Sequence, residues 1–125
     1  MAAARELRIR VADEPGVLGT ISEVLGASEI NIIGFAVWEP TAHVLTSDPE
    51  RAAELLTEAG FAVELVDVLR LVVPDEPGNL AEIAQELGEA GVNIDHAYSV
   101  SNRTDGAAAF VLAVPNIALV DEMLD

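Results

Sequence analysis

The chain contains no cysteine and no lysine, and it has only two histidines, one tryptophan and one tyrosine. The absence of cysteine removes disulfides, thiolate nucleophiles and thiolate-bound metals together. With lysine missing, all six basic residues are arginines, set against 22 acidic ones for a formal net charge of −16. Nucleic acid is thereby excluded as a partner class, because its binding needs clustered cations that displace phosphate counterions. Anionic membrane surfaces are disfavoured for the same reason. No apolar run approaches the ~20 residues of a membrane span, and the N-terminal residues 1–6 lack a basic stretch followed by an apolar core. A cytoplasmic protein is expected, its acidity serving solubility or reflecting a saline habitat. His43 and His96 stand far apart in the sequence, no metal-ligand spacing is present, and neighbours such as Asp95 and His96 on a strand point to opposite faces. No catalytic residue, no metal and no cofactor is expected.

What the chain does contain is a repetition. Residues 11–16, Val-Ala-Asp-Glu-Pro-Gly, return at 73–78 as Val-Pro-Asp-Glu-Pro-Gly, and Asn31-Ile32 returns as Asn93-Ile94. Both offsets are 62 positions (75 − 13 and 93 − 31), and Leu18, Ile21, Leu25 and Gly26 recur on that register as Leu80, Ile83, Leu87 and Gly88. A fixed internal period means one supersecondary unit used twice. Each unit has roughly sixty residues, a size that buries only about 60% of its unfolded surface. Apolar residues make up 51% of the sequence, enough for a core and too many for disorder.

The periodicity predicts the elements. Residues 6–12 alternate, with Leu7, Ile9 and Val11 on one face of a strand. A turn at 13–16 leads to a helix on Val17, Leu18, Ile21, Val24 and Leu25 that stops at Gly26. Strands are expected at 30–38, 42–47 and 61–66. A second helix begins with Asp48 as N-cap and Pro49 at its first position and stops at Gly60. This is the split βαβ order of the ferredoxin-like fold. It starts again at Leu69, with strands at 69–73, 92–101 and 107–114, helices at 78–90 and from 116, and a turn within 102–106. The fold class is therefore α+β: ferredoxin-like βαββαβ units in two tandem copies, residues 1–67 and 68–125, the second lacking its last strand. No glycine, proline or asparagine interrupts the chain between Phe61 and Pro74, so the joint is read as one extended segment on the order of 45 Å long. Small units and an absent strand leave sheet edges open, and an open edge is a template for pairing. A homodimer is expected. Trp38 and Tyr98, on the second strand of each copy, fit packing or an interface.

Strand, Asp-x-Pro-Gly, amphipathic helix, Gly, then Asn-Ile at the next strand resembles the ACT domain, a small regulatory module of amino-acid metabolism, here in two copies over nearly the whole chain. The resemblance implies a free amino acid bound where the loop before the first helix of one unit faces the second strand of a neighbouring unit, with a regulated metabolic enzyme as partner. On this sequence the site falls on Asp13, Pro15, Gly16, Val17, Leu18, Asn31 and Ile32, and again on Asp75, Pro77, Gly78, Asn79, Leu80, Asn93 and Ile94. The chemistry is compatible with a zwitterion. A helix N-terminus offers unpaired N–H groups to a carboxylate, Gly16 or Gly78 permits close backbone approach, Asn31 or Asn93 supplies a donor and an acceptor, and Asp13 or Asp75 can take the ammonium group. The same turn residues also serve folding alone, so a structural or oligomerisation module without ligand is the alternative. The copies differ at two points. Glu29 stands where the second copy has Gly91, a strained arrangement if that position needs positive φ, and Val17 is matched by Asn79. The two sites are not expected to be equivalent.

Overall fold

The computed structural model describes residues 2–102 and 105–124. In chain order the elements are β1 (Ala2–Arg10), α1 (Val17–Ala27), β2 (Ile32–Trp38), β3 (Thr41–Thr46), α2 (Pro49–Glu58), β4 (Val63–Pro74), α3 (Asn79–Glu89), β5 (His96–Val100), β6 (Ala107–Ala113) and α4 (Ile117–Leu124). They form two compact units, one of residues 5–66 and one of residues 67–124 together with 2–4.

In the first unit β3 lies between β2 and β1, and the opening residues of β4 take the other side of β1. Both β3 pairings are antiparallel: Leu7 and Ile9 of β1 stand opposite Val44 and Ala42, which in turn face Phe35 and Val37 of β2. The alternation of β1 sends Leu7 and Ile9, with Val11 just past the strand's end, into a core with Ile21 and Leu25 of α1 and Ala52 and Leu56 of α2. Asp48 caps α2 as expected, accepting from the Arg51 N–H at 3.3 Å, with Pro49 at the first helical position. Glu50, in the first turn of α2, has its carboxyl held below its ordinary range by a backbone hydrogen bond there and then by Arg5, whose Nη1 donates to it at 2.8 Å. The other face of β1 carries a buried carboxylate: Glu6 receives Arg8 Nε at 2.9 Å and lies 3.3 Å from His43 Nδ1.

In the second unit β6 lies between β5 and β4. Leu69 and Leu71 of β4 face Leu112 and Phe110, and Tyr98 of β5 faces Val111. Leu69, Leu71 and Leu112 form a core with Leu87 of α3 and Val120 of α4. No strand follows α4 among the described residues. The side of β4 that a fourth strand would occupy is taken by residues 2–4 of β1. The joint is one continuous 12-residue strand, β4, which supplies the last strand of the first copy and the first strand of the second. The centre of the turn expected within 102–106, Arg103 and Thr104, lies outside the described residues.

Several boundaries differ from the sequence expectation. Gly26 lies inside α1; the helix ends two residues later at its C-cap Ser28, followed by Glu29 at φ 59°. The Glu29 N–H bonds the Gly26 carbonyl at 3.0 Å and the Ile30 N–H bonds Leu25 at 3.0 Å, the paired closure of a Schellman motif. Ile30 is spent on that closure, which is why β2 starts at Ile32. The second copy repeats it, with Gly91 bonding Gly88 at 3.1 Å and Val92 bonding Leu87 at 2.9 Å. Gly91 has φ 76°, so the position does require the left-handed region, and Glu29 occupies it with a side chain. An L-residue there costs about 1–2 kcal/mol, while glycine loses roughly 0.5–1 kcal/mol of backbone entropy on folding. Glu29→Gly is therefore expected to stabilise the protein by about 0.5–1 kcal/mol in urea unfolding. A destabilised variant would mean that the Glu29 side chain makes up for its backbone.

Candidate functional site

A cavity of about 320 Å³ opens in the first unit at the end of β1. One wall is the loop into α1 and its first turns: Val11, Ala12, Asp13, Glu14, Gly16, Val17, Leu18 and Ile21. The other is the end of β2 and the connection to β3: Val37, Trp38, Glu39 and Ala42. In a split βαβ unit β1 and β2 run in the same direction, so the loops leaving them meet at one edge. A bond from the Val11 N–H to the Pro40 carbonyl at 2.8 Å ties the walls together.

Local sequence shapes the loop. The Glu14 N–H turns back to the Ala12 carbonyl at 2.9 Å, and the chain enters α1 through Gly16 at φ 89°, a conformation open to glycine at no steric cost. No side chain caps α1, and no acidic residue occupies its first turn. Its leading N–H groups and the positive end of its dipole are therefore available to an anion at the cavity wall. The floor is apolar, from Val11, Val17, Ile21, Val37 and Ala42, while Asp13, Glu14 and Glu39 place carboxylates around it. Among the described residues none of these three is engaged in an ion pair. Trp38 is 52% exposed, and its ring lies against His43 with centroids 4.9 Å apart. The arrangement provides donors for a carboxylate, acceptors for an ammonium group and an apolar surface in one space, at the small end of the ~300–1,000 Å³ of ligand pockets.

Of the residues singled out in the first copy, Asp13, Gly16, Val17 and Leu18 meet in the cavity. Pro15 belongs to the same loop but is not part of the lining. Asn31 stands at the far end of β2, where its N–H donates to Ser47 Oγ and its carbonyl accepts from the Ser47 N–H, both at 3.0 Å. Ile32 packs against the first core. In the second copy the loop repeats the backbone pattern, with Glu76 bonding Pro74 at 2.9 Å, Glu82 bonding Gly78 at 3.0 Å and Gly78 at φ 91°. Its side chains differ. Asn79 Nδ2 donates to the Pro74 carbonyl at 2.7 Å, and Glu82 sets a carboxylate in the first turn of α3. The Asp75 N–H bonds Gly106 at 2.8 Å, Pro77 is exposed and Leu80 is 43% exposed. Asn93 Nδ2 donates to Asp95 at 3.0 Å, and Ile94 packs on the second core. Glu14 stands in the repeated motif but was not assigned to the site, and Val37, Trp38 and Glu39 line the cavity from outside the motif. Their signal was topological, since Glu39-Pro40 is the turn that leaves β2 at the edge where the β1 loop lies.

Two copies of a βαββ core with a glycine-entered helix after the first strand define the class. A family model described as an ACT domain pair matches residues 2–119, and the chain belongs to that family. Protein BT0572 from Bacteroides thetaiotaomicron is 30% identical, with a TM-score of 0.85 over 98% of this chain and 86% of that one. The regulatory subunit of aspartate kinase from Thermus thermophilus, in its ligand-free form, is 15% identical, with a TM-score of 0.65 over 99% and 93% of the two chains. Aspartokinase III from E. coli, solved in complex with aspartate and ADP, is 16% identical, with a TM-score of 0.61 over 98% of this chain and 31% of that one. At these identities the two kinases establish likeness of fold. No curated protein matches the chain by sequence. No helix among the described residues is long and apolar enough to cross a membrane.

Proposed function

We propose that this ACT domain pair binds a free amino acid at the loop between β1 and α1 and acts as a non-catalytic regulatory module for a metabolic enzyme. The observation that carries the reading is the uncapped, acid-free N-terminus of α1 at the wall of a 320 Å³ cavity. The ligand carboxylate is received by the leading N–H groups of α1, the ammonium group by Asp13 or Glu39, and the side chain by the apolar surface of Val17, Val37 and Trp38. The loop at 75–80 is the weaker site, because Glu82 in the first turn of α3 opposes a carboxylate. The regulatory subunit of aspartate kinase among the similar structures supports a role beside an enzyme.

The same reading includes a homodimer. β2 is an edge strand that exposes Phe35, Val37 and Trp38, and two-fold pairing through it would bring a neighbouring second strand to the open side of the cavity. That apolar edge also favours the alternative, an assembly module with no ligand. Melting the protein with each common amino acid separates the two. A ligand at about a hundredfold over its Kd adds roughly 2.7 kcal/mol and raises the midpoint by several degrees. A midpoint unmoved by every amino acid would leave the assembly module. Sedimentation at tens of micromolar is expected to show a dimer, and a monomer at both low and high salt would remove that part.

A further inference from the structure

A second cavity of about 300 Å³ lies in the first unit, lined by Arg8 and Arg10 of β1, Thr41 of β3 and Ala62, Val63 and Glu64. Arg8 and Arg10 are two residues apart on one strand, so their side chains leave the same face, and Thr41 stands directly opposite Arg10 in the β1–β3 register. The arginines are differently held. Arg8 is 31% exposed and is fixed through Nε, which donates to the buried Glu6 at 2.9 Å. This leaves its terminal nitrogens to the cavity. Arg10 is exposed and, among the described residues, paired with no carboxylate. In a chain with 22 acidic residues and six basic ones, an arginine with no ion pair beside a second, fixed arginine is not the product of general surface charge. Across the repeat Arg8 is retained as Arg70, but Arg10 becomes Val72, so the pair belongs to the first copy.

We propose that Arg8, Arg10 and Thr41 form a binding site for a phosphate group. Two guanidinium groups and a hydroxyl present more donors than the two oxygens of one carboxylate can use, whereas a phosphate has the oxygens and the charge to engage both arginines. The net charge of −16 does not forbid it, because screening over about 8 Å at physiological salt leaves local donors in control. Glu64 on the rim opposes the anion and favours a ligand whose phosphate sits toward β3. The phosphate is either free or carried on a small metabolite.

The test is an NMR titration at constant ionic strength that follows the arginine Nε–H signals, with inorganic phosphate, a sugar phosphate and acetate as probes. Saturable shifts of Arg8 and Arg10 are expected with phosphate, with acetate at least tenfold weaker. Arg10→Gln is expected to weaken phosphate binding at least tenfold. Arg5→Gln, which removes the same charge outside the cavity, should change it less than twofold. Tighter binding of the sugar phosphate would support the site and assign the phosphate to a metabolite; equal binding would support it with free phosphate as the ligand. Unsaturable shifts, equal losses in the two variants, or acetate binding as tightly as phosphate would overturn it. Gly16→Val, a change in the other cavity, should leave phosphate binding intact, so this site and the amino-acid site can fail separately.

Discussion

Leu25→Ala and Leu87→Ala are each expected to destabilise the protein by about 2–5 kcal/mol, the range for truncating a fully buried leucine. The two residues are the same position of the repeat, 62 apart, and both are fully buried. Leu25 meets Leu7, Ile9, Val44 and Leu56 in the first core, and Leu87 meets Leu69, Leu71, Leu112 and Val120 in the second. Each core belongs to a unit of roughly sixty residues, for which such a loss is a large share of a total of about 5–15 kcal/mol. Urea unfolding measures both. A loss below about 1 kcal/mol at Leu87, with the full loss at Leu25, would show that the second unit does not rest on its core as the first does.

Gly16→Val should abolish the rise in melting midpoint that a bound amino acid produces, and Gly78→Val should retain it. The comparison is matched. Gly16 and Gly78 have φ of 89° and 91°, and a Cβ at either would meet nothing within 4 Å, so valine brings the same backbone strain to both loops. That strain costs about 1–3 kcal/mol in each variant. The difference lies in what the loops line: Gly16 is part of the cavity wall beside Trp38, and α3 after Gly78 carries Glu82 in its first turn. The expected loss for Gly16→Val is the whole ~2.7 kcal/mol seen at a hundredfold excess of ligand. Loss with Gly78→Val and retention with Gly16→Val would move the site to the second copy.

Local chemistry wrote most of the fold into the sequence. Asp48-Pro49 announces α2 because a carboxylate cap and a proline at the first helical position act within one turn. Glu29 posed its question openly, since Gly91 at the matching position identifies the backbone conformation that both must share. Residues 2–4 were not legible: alanine has little strand preference, and their place beside β4 depends on a partner far along the chain. The expected strand at 92–101 begins only at His96: the Val92 N–H is used to close α3 on Leu87, and the Asn93 side chain turns to the Asp95 carboxylate just ahead of the ladder. The site divides in the same way. Gly16 and Asp13 were legible because a tight turn and a helix start need them locally, whereas Val37, Trp38 and Glu39 reach the cavity through topology.

Trp38 is the only tryptophan in the chain, and it lines the cavity. A titration of its fluorescence with free amino acids therefore reports on the proposed site, and sedimentation of the same samples separates ligand binding from a change in pairing through β2. The expected result is a saturable change with at least one amino acid, present in Gly78→Val and lost in Gly16→Val. A signal unchanged by every amino acid up to millimolar concentration, in a folded protein, would contradict amino-acid binding at this loop.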